Sequence, residues 1–256
     1  MSHYIDLNSD LGESFGNYTL GMDSEVLNHV TSANVACGWH AGDPLIMEAT
    51  VKMCKEKGVA VGAHPGYPDL MGFGRRAMAV NPAEAKAYMI YQVGALQAFC
   101  DSYGVTLQHM KLHGAFYNTA CVTPALADAV LDGLQAVNPN IAAMVLSGSY
   151  IAKEAQRRGI PVIQEVFADR GYTDEGTLVP RTEPEAFIKD PQEALERVLM
   201  MVTKGKVVTN TGNTIDIVAD SVCVHGDNPE AIAFTNYIRE GLTKAGVTVA
   251  NFQNRK

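Results

Sequence analysis

A closed β/α barrel is the fold class that this sequence predicts, and three features predict it. Seven short apolar or alternating runs are interleaved with segments of helical period. Five of those helical segments open in the same way, with a short polar residue followed by proline. Polar clusters recur where an apolar run ends and the next helix begins. Strand–helix alternation implies a parallel sheet covered by helices. At 256 residues, closure into one barrel domain over 1–256 is the favoured arrangement. A doubly wound open sheet is the alternative.

The strands, in order, are "YIDLN", "ANVAC", "VAVGA", "LQHMKL", "IAAMVL", "IPVIQEVF" and "SVCVH". The helix openings are Asp43-Pro44, Asn81-Pro82, Thr123-Pro124, Asp190-Pro191 and Asn228-Pro229. The polar side chain accepts from free amides of the first turn, and proline fits the first helical position because no N–H is needed there. Ala85, Met89, Val93, Leu96 and Cys100 then form one apolar stripe, and Leu126, Val130, Leu131, Leu134 and Val137 another. A third is Leu195, Val198, Leu199 and Val202, and Gly58, Gly159, Gly205 and Gly246 close helices. Two weaker helices are expected at 23–30 and 149–158. "KVVTNTGNTIDIV" reads as an inserted hairpin over 206–218, turning between Asn210 and Asn213. The long segment after strand six, 170–190, reads as a lid.

Composition narrows the function. A formal net charge of −8 argues against nucleic-acid and anionic-membrane partners. No run of apolar residues is long enough to span a bilayer. The opening "MSHYIDLNSDLGES" has neither a basic nor an apolar leader region. Five cysteines without a C-x-x-C fit small buried hydrophobes in a reduced, cytoplasmic protein.

In a parallel β/α protein, the segments that follow the strands lie at one end of the sheet, where active sites form. Here they read Asp10-Leu11-Gly12-Glu13, "GWHAGD", "AHPGYPD", "KLHGAFY", "EVFADR" and "VHGDNP". His40, His64, His113 and His225 are therefore expected to converge with Asp10. Asp6, Asn8 and Asp10 alternate and share one strand face. "DLNSDLG" is not an EF-hand loop, because Leu11 stands where its glycine belongs and Asn17 where its closing glutamate belongs. Asp43 reads first as a helix cap, and Trp39 as a substrate wall.

"LQHMKLHG" is the most informative strand. Alternation turns His109, Lys111 and His113 one way and Met110 and Leu112 the other. A lysine inside a barrel needs an anion, supplied by substrate or by a carboxylate such as Asp6. His109 and His113 are spaced like a helical zinc pair, but four strand residues span about 13 Å, so they do not share a metal. With histidines and aspartates dispersed over several strand ends, no close ligand pair is visible. No tightly bound metal is expected and no metal ligand is assigned. P-loop and Rossmann glycine patterns are absent from the sequence.

The strings "DLNSDLGE", "ANVACGWHAGDP", "GAHPGYPD", "KLHGAFYN" and "FADRGY" occur in order and resemble the LamB/YcsF family over essentially the whole chain. The resemblance implies a barrel of the glycoside hydrolase/deacetylase type. It also implies a hydrolase acting on a cyclic amide: 5-oxo-L-proline, ATP and water give L-glutamate, ADP and phosphate. ATP, with Mg2+, would be a substrate, and two partner subunits, B and C, would complete the complex; homo-oligomerisation is compatible with this. Such chemistry needs a base for water, donors for anionic oxygens and a proton for the leaving nitrogen. Asp10 and His64 are candidate bases, and Lys111 and Arg170 candidate anion holders. His40, His113 and His225 are candidate proton donors. Asp6, Asn8, Asn34, Tyr117 and Asp169 complete the expected substrate-binding set. Two other readings compete: a metal-dependent deacetylase-like hydrolase and a non-catalytic scaffold subunit.

Overall fold

A computed structural model describes residues 3–226 and 228–254 of the chain. The strands are β1 (His3–Leu11), β2 (Ser32–Ala36), β3 (Ala60–His64), β4 (Leu107–Met110), β5 (Ala142–Leu146), β6 (Val162–Phe167), β7 (Lys206–Val208), β8 (Thr214–Asp216), β9 (Ser221–Cys223) and β10 (Val247–Val249). The helices are α1 (Asp23–Val26), α2 (Pro44–Lys57), α3 (Pro82–Tyr103), α4 (Gly114–Val122), α5 (Pro124–Val137), α6 (Tyr150–Arg157), α7 (Pro191–Lys204) and α8 (Pro229–Lys244).

Strands β1 to β6 pair in sequence order, all parallel, and β6 then pairs with β9. β9 returns to β1 through Asp6↔Ser221, Leu7↔Val222 and Asn8↔Cys223. That last pairing closes a seven-stranded barrel and rules out the open sheet. β10 adds to the start of β1, His3↔Val247 to Ile5↔Val249, as a strand outside the ring. β7 and β8 form a separate antiparallel pair. The carboxylate of Asp174 accepts from Thr209, Thr211 and Asn213, tying the turn of that pair to the segment that follows β6. Within 170–190 the backbone pairs Arg170 with Phe187 and Tyr172 with Leu178.

Helix starts follow the expected capping at Asp43, Asn81, Asp190 and Asn228, whereas Thr123 makes no side-chain cap bond. Asp43 accepts from the amides of Leu45 and Ile46, and Asn81 and Glu84 form a reciprocal capping box. Two elements are not evident from the sequence. α4 opens at His113 with no side-chain cap and no proline, and β10 is only three residues long. The expected helix at 23–30 is shorter, ending at Val26. Among the described residues, no single helix is long and apolar enough to cross a membrane. All five cysteines are buried and free.

The two faces of the strands diverge in chemistry. Outward, Val61, Met89, Val93, Leu96, Leu131 and Leu134 pack strands against α3 and α5, all buried. Burial of this layer is the main stabilising contribution to the fold. Inward, the barrel is filled with polar groups: Asp6, Asn8, Asn34, His109, Glu165 and Ser221 are fully buried. Buried polar groups are costly unless paired, and most of these are: Asn8 donates to Ser221, Asn34 to Asn8, and Ser221 to Asp6. The His109 ring lies over Gly62, where an added Cβ would come within 2.1 Å of Nε2. Nε2 of the same ring is held by Asn34 Oδ1 at 2.7 Å, so the ring is not free to retreat. Gly62→Ala is expected to lower stability by about 3 kcal/mol through overpacking, read as a reduced denaturation midpoint. A midpoint unchanged within error would show that the interior can rearrange.

Candidate active site

The mouth at the C-terminal ends of the strands holds a pocket of about 330 Å³ lined by residues from most of the post-strand segments. Its floor is Lys111, which leaves the end of β4 and is 3% exposed. The ammonium lies 2.7 Å from Glu165 Oε1 on β6 and 3.1 Å from Asp10 Oδ1 on β1. It also donates to Asn8 Oδ1 at 3.2 Å, with Cys223 Sγ at 3.2 Å. Burial alone would lower the Lys111 pKa. Asp10, Cys223 and Glu165 outweigh it and hold the amine well above its ordinary range, so it stays charged. Tyr117 donates its hydroxyl to Glu165 Oε2 at 2.7 Å, and burial followed by the Glu165 charge pushes that phenol well up.

Asp10 is the hub. Asn34 Nδ2 donates to Oδ1 at 2.8 Å while also donating to Asn8 Oδ1 at 2.8 Å. Oδ2 faces His64 Nε2 at 3.2 Å. Burial would raise the Asp10 carboxyl, but His64 and Lys111 together hold it well below the usual carboxylate range. The other ring nitrogen of His64, Nδ1, lies 2.7 Å from the Lys111 carbonyl. A carbonyl only accepts, so Nδ1 donates and the tautomer is fixed. His113 Nε2 likewise donates to the Phe73 carbonyl at 2.8 Å, and His113 Nδ1 faces His64 Nε2 at 3.0 Å. The His40 ring stacks on His113 with centroids 3.6 Å apart, and its Nε2 meets Glu13 Oε1 at 3.0 Å. Burial, then the neighbouring His64, brings the His113 pKa down to about 3. Burial, then His113, keeps His40 well below its ordinary value. Both shifts favour the neutral rings.

The outer wall carries Arg75, Arg170, Arg181 and His225, a local positive cluster in an acidic protein. His225 Nδ1 meets Asp169 Oδ2 at 2.9 Å; burial would raise that carboxyl, and His225 holds it down. Arg170 lines the pocket but commits Nε to the Ala186 carbonyl and Nη2 to the Val179 carbonyl, so it staples the 170–190 segment.

The structure brings together Asp10, His40, His64, Lys111, His113, Asn8, Asn34 and Tyr117, with Asp169 and His225 at the rim. Three expectations need correction. Asp6 is not the partner of Lys111: its carboxylate accepts from Thr31 Oγ1 at 2.6 Å, from Ser32 Oγ at 2.7 Å and from Ser221 Oγ, lower in the barrel than the pocket. Trp39 packs on Tyr88 and Tyr91, with centroids 4.6 and 5.4 Å away, and is absent from the pocket lining. The premise that no ligand atoms lie close together also fails: Glu13, His40, His64 and His113 offer one ligand atom each, all within 4.8 Å of one another. Sequence reasoning misses two members of this cluster, Glu13 and Glu165. Glu13 stands in the first polar cluster, whereas Glu165 sits inside an apolar strand, where a charged residue is itself the available signal.

Comparison with known proteins agrees with this geometry. The A-subunit of a 5-oxoprolinase from Fusobacterium nucleatum is 60% identical, covering 97% of each chain. Its namesake from Pyrococcus abyssi is 54% identical over 96% of each chain. The crystal structure of a lactam utilization protein from Thermus thermophilus superposes with a TM-score of 0.92 at 44% identity, covering 97% of this chain and 100% of that one. Residues 5–256 match the LamB/YcsF family, and the chain belongs to that family.

Proposed function

We propose that this chain is the ring-opening component of an ATP-dependent 5-oxoprolinase, acting with partner subunits on 5-oxo-L-proline. The names of its relatives support the reaction class. The observation that carries the assignment is the Lys111–Asp10–His64 constellation beneath a basic rim. The substrate is a five-membered cyclic amide bearing a carboxylate, and the rim arginines suit that carboxylate and a phosphate. The lactam carbonyl oxygen accepts the γ-phosphoryl group of ATP, releasing ADP. Water, losing its proton to Asp10, adds to the activated carbon. The C–N bond then breaks and the nitrogen takes a proton, which leaves an acyl phosphate; a second water cleaves it to glutamate and phosphate. Lys111 stabilises the oxygen charge that develops during addition.

The test is oxoproline-dependent release of ADP and glutamate by the reconstituted complex, with each subunit omitted in turn. Omission of this chain is expected to abolish turnover. The chain alone is expected to hydrolyse ATP negligibly, because it lacks a P-loop. Undiminished turnover by the complex without it would overturn the assignment; robust turnover by the isolated chain would show that the partners are dispensable.

A further inference from the structure

The histidine cluster has a hydrogen-bond problem that its protein partners leave unsolved. His64 Nδ1 and His113 Nε2 both donate to backbone carbonyls, at 2.7 and 2.8 Å. In the neutral rings, His64 Nε2 and His113 Nδ1 are therefore both bare acceptors, and they face each other at 3.0 Å. Asp10 Oδ2 adds a further lone pair 3.2 Å from His64 Nε2. Glu13 Oε1 adds another, 3.4 Å from His113 Nδ1, while it accepts from His40 at 3.0 Å when that ring carries its proton on Nε2. Acceptors at these separations repel unless something positive lies among them. A single proton on His64 Nε2 makes the His113 and Asp10 contacts attractive but leaves Glu13 facing a bare His113 nitrogen.

We propose that Glu13, His40, His64 and His113 bind one divalent transition-metal ion of the zinc class. Zinc holds imidazole nitrogens and carboxylate oxygens at about 2.0–2.2 Å. Tetrahedral angles then separate the ligand atoms by roughly 3.3 Å; three of the pairs here lie at 3.0–3.4 Å and all lie within 4.8 Å. The two carbonyl bonds at the far side of His64 and His113 are the outer contacts that orient metal-ligating histidines and fix their tautomers. Room for the rings is built into the backbone. Gly74, at φ +61°, lies where a Cβ would come within 2.8 Å of both His113 Cδ2 and His40 Cβ. Three imidazoles with one carboxylate favour zinc, cobalt or a similar ion over magnesium or calcium, which prefer oxygen ligands. Asp10 stands beside the site, positioned to hold a metal-bound water or a fifth bond.

The full chain, treated with chelator and freed of it, is titrated with Zn2+ by calorimetry and with Co2+ by visible absorption. No substrate, nucleotide or partner is needed, so the outcome is separate from the oxoprolinase assignment. The expected results are uptake of one ion per chain and d–d absorption typical of a low-coordinate nitrogen and oxygen site. His113→Ala and Glu13→Gln should each weaken Zn2+ binding about a hundredfold, and His29→Ala should not. The Co2+ spectrum of the unaltered protein decides the matter even where a variant fails to fold. The proposal is overturned if the unaltered chain takes up neither ion. It also fails if folded variants bind as tightly as the parent, or if ring ¹⁵N resonances show a doubly protonated His64 that added Zn2+ leaves unchanged.

Discussion

Lys111→Met is expected to reduce oxoproline-dependent turnover of the assembled complex by roughly a hundredfold or more, the scale lost when one preorganised electrostatic donor is removed. It is also expected to destabilise the chain. The ammonium is paired with both Asp10 and the fully buried Glu165, and removing one member of a buried pair costs about 3–5 kcal/mol. Part of that loss should be recovered in Lys111→Met/Glu165→Gln, where the stranded charge becomes a neutral amide of the same shape, with Tyr117 still donating to it. The separation of the two readouts is the diagnostic. Recovered stability with turnover still low assigns Lys111 a chemical role. Near-normal turnover in a folded Lys111→Met complex would refute that role.

Asp10→Asn is expected to lower turnover by a factor on the order of 10²–10⁴, the usual range for a general acid–base group. The amide keeps the shape of the carboxyl but cannot hold the charge that supports His64. Stability should change with pH in a defined direction. Despite burial, Asp10 has its folded pKa held well below its unfolded value by His64 and Lys111. Its contribution is thus fully present above the unfolded pKa of about 3.9 and is lost as pH falls towards the folded value. The denaturation midpoint of the parent should therefore fall on acidification below about pH 4 more steeply than that of Asp10→Asn. Parallel curves would mean that the folded carboxyl is not depressed, and unimpaired turnover by Asp10→Asn would remove it from the chemistry.

The sequence by itself determined the barrel and the end at which the site lies. Strand–helix alternation, polar–proline helix starts and polar post-strand clusters all report local physics: backbone periodicity, capping and the common polarity of parallel strands. Alternation likewise turned Lys111 inward and left Met110 to the helices. α4 and β10 escaped because a nine-residue helix without a cap and a three-residue strand carry little local signal. What only the tertiary structure decided is height along the barrel. Alternation says which face a side chain takes, not how far up it sits, and that depends on register between strands distant in sequence. Asp6 shares a face with Asp10, but it pairs at the level of Ser221, four residues of strand, or about 13 Å, below the carboxylate that Lys111 meets. The same register draws Glu13, His40, His64 and His113 from four separate segments to within 4.8 Å of one another. Barrel closure sets that distance, because it fixes the stagger between strands, and no spacing within a single segment encodes it.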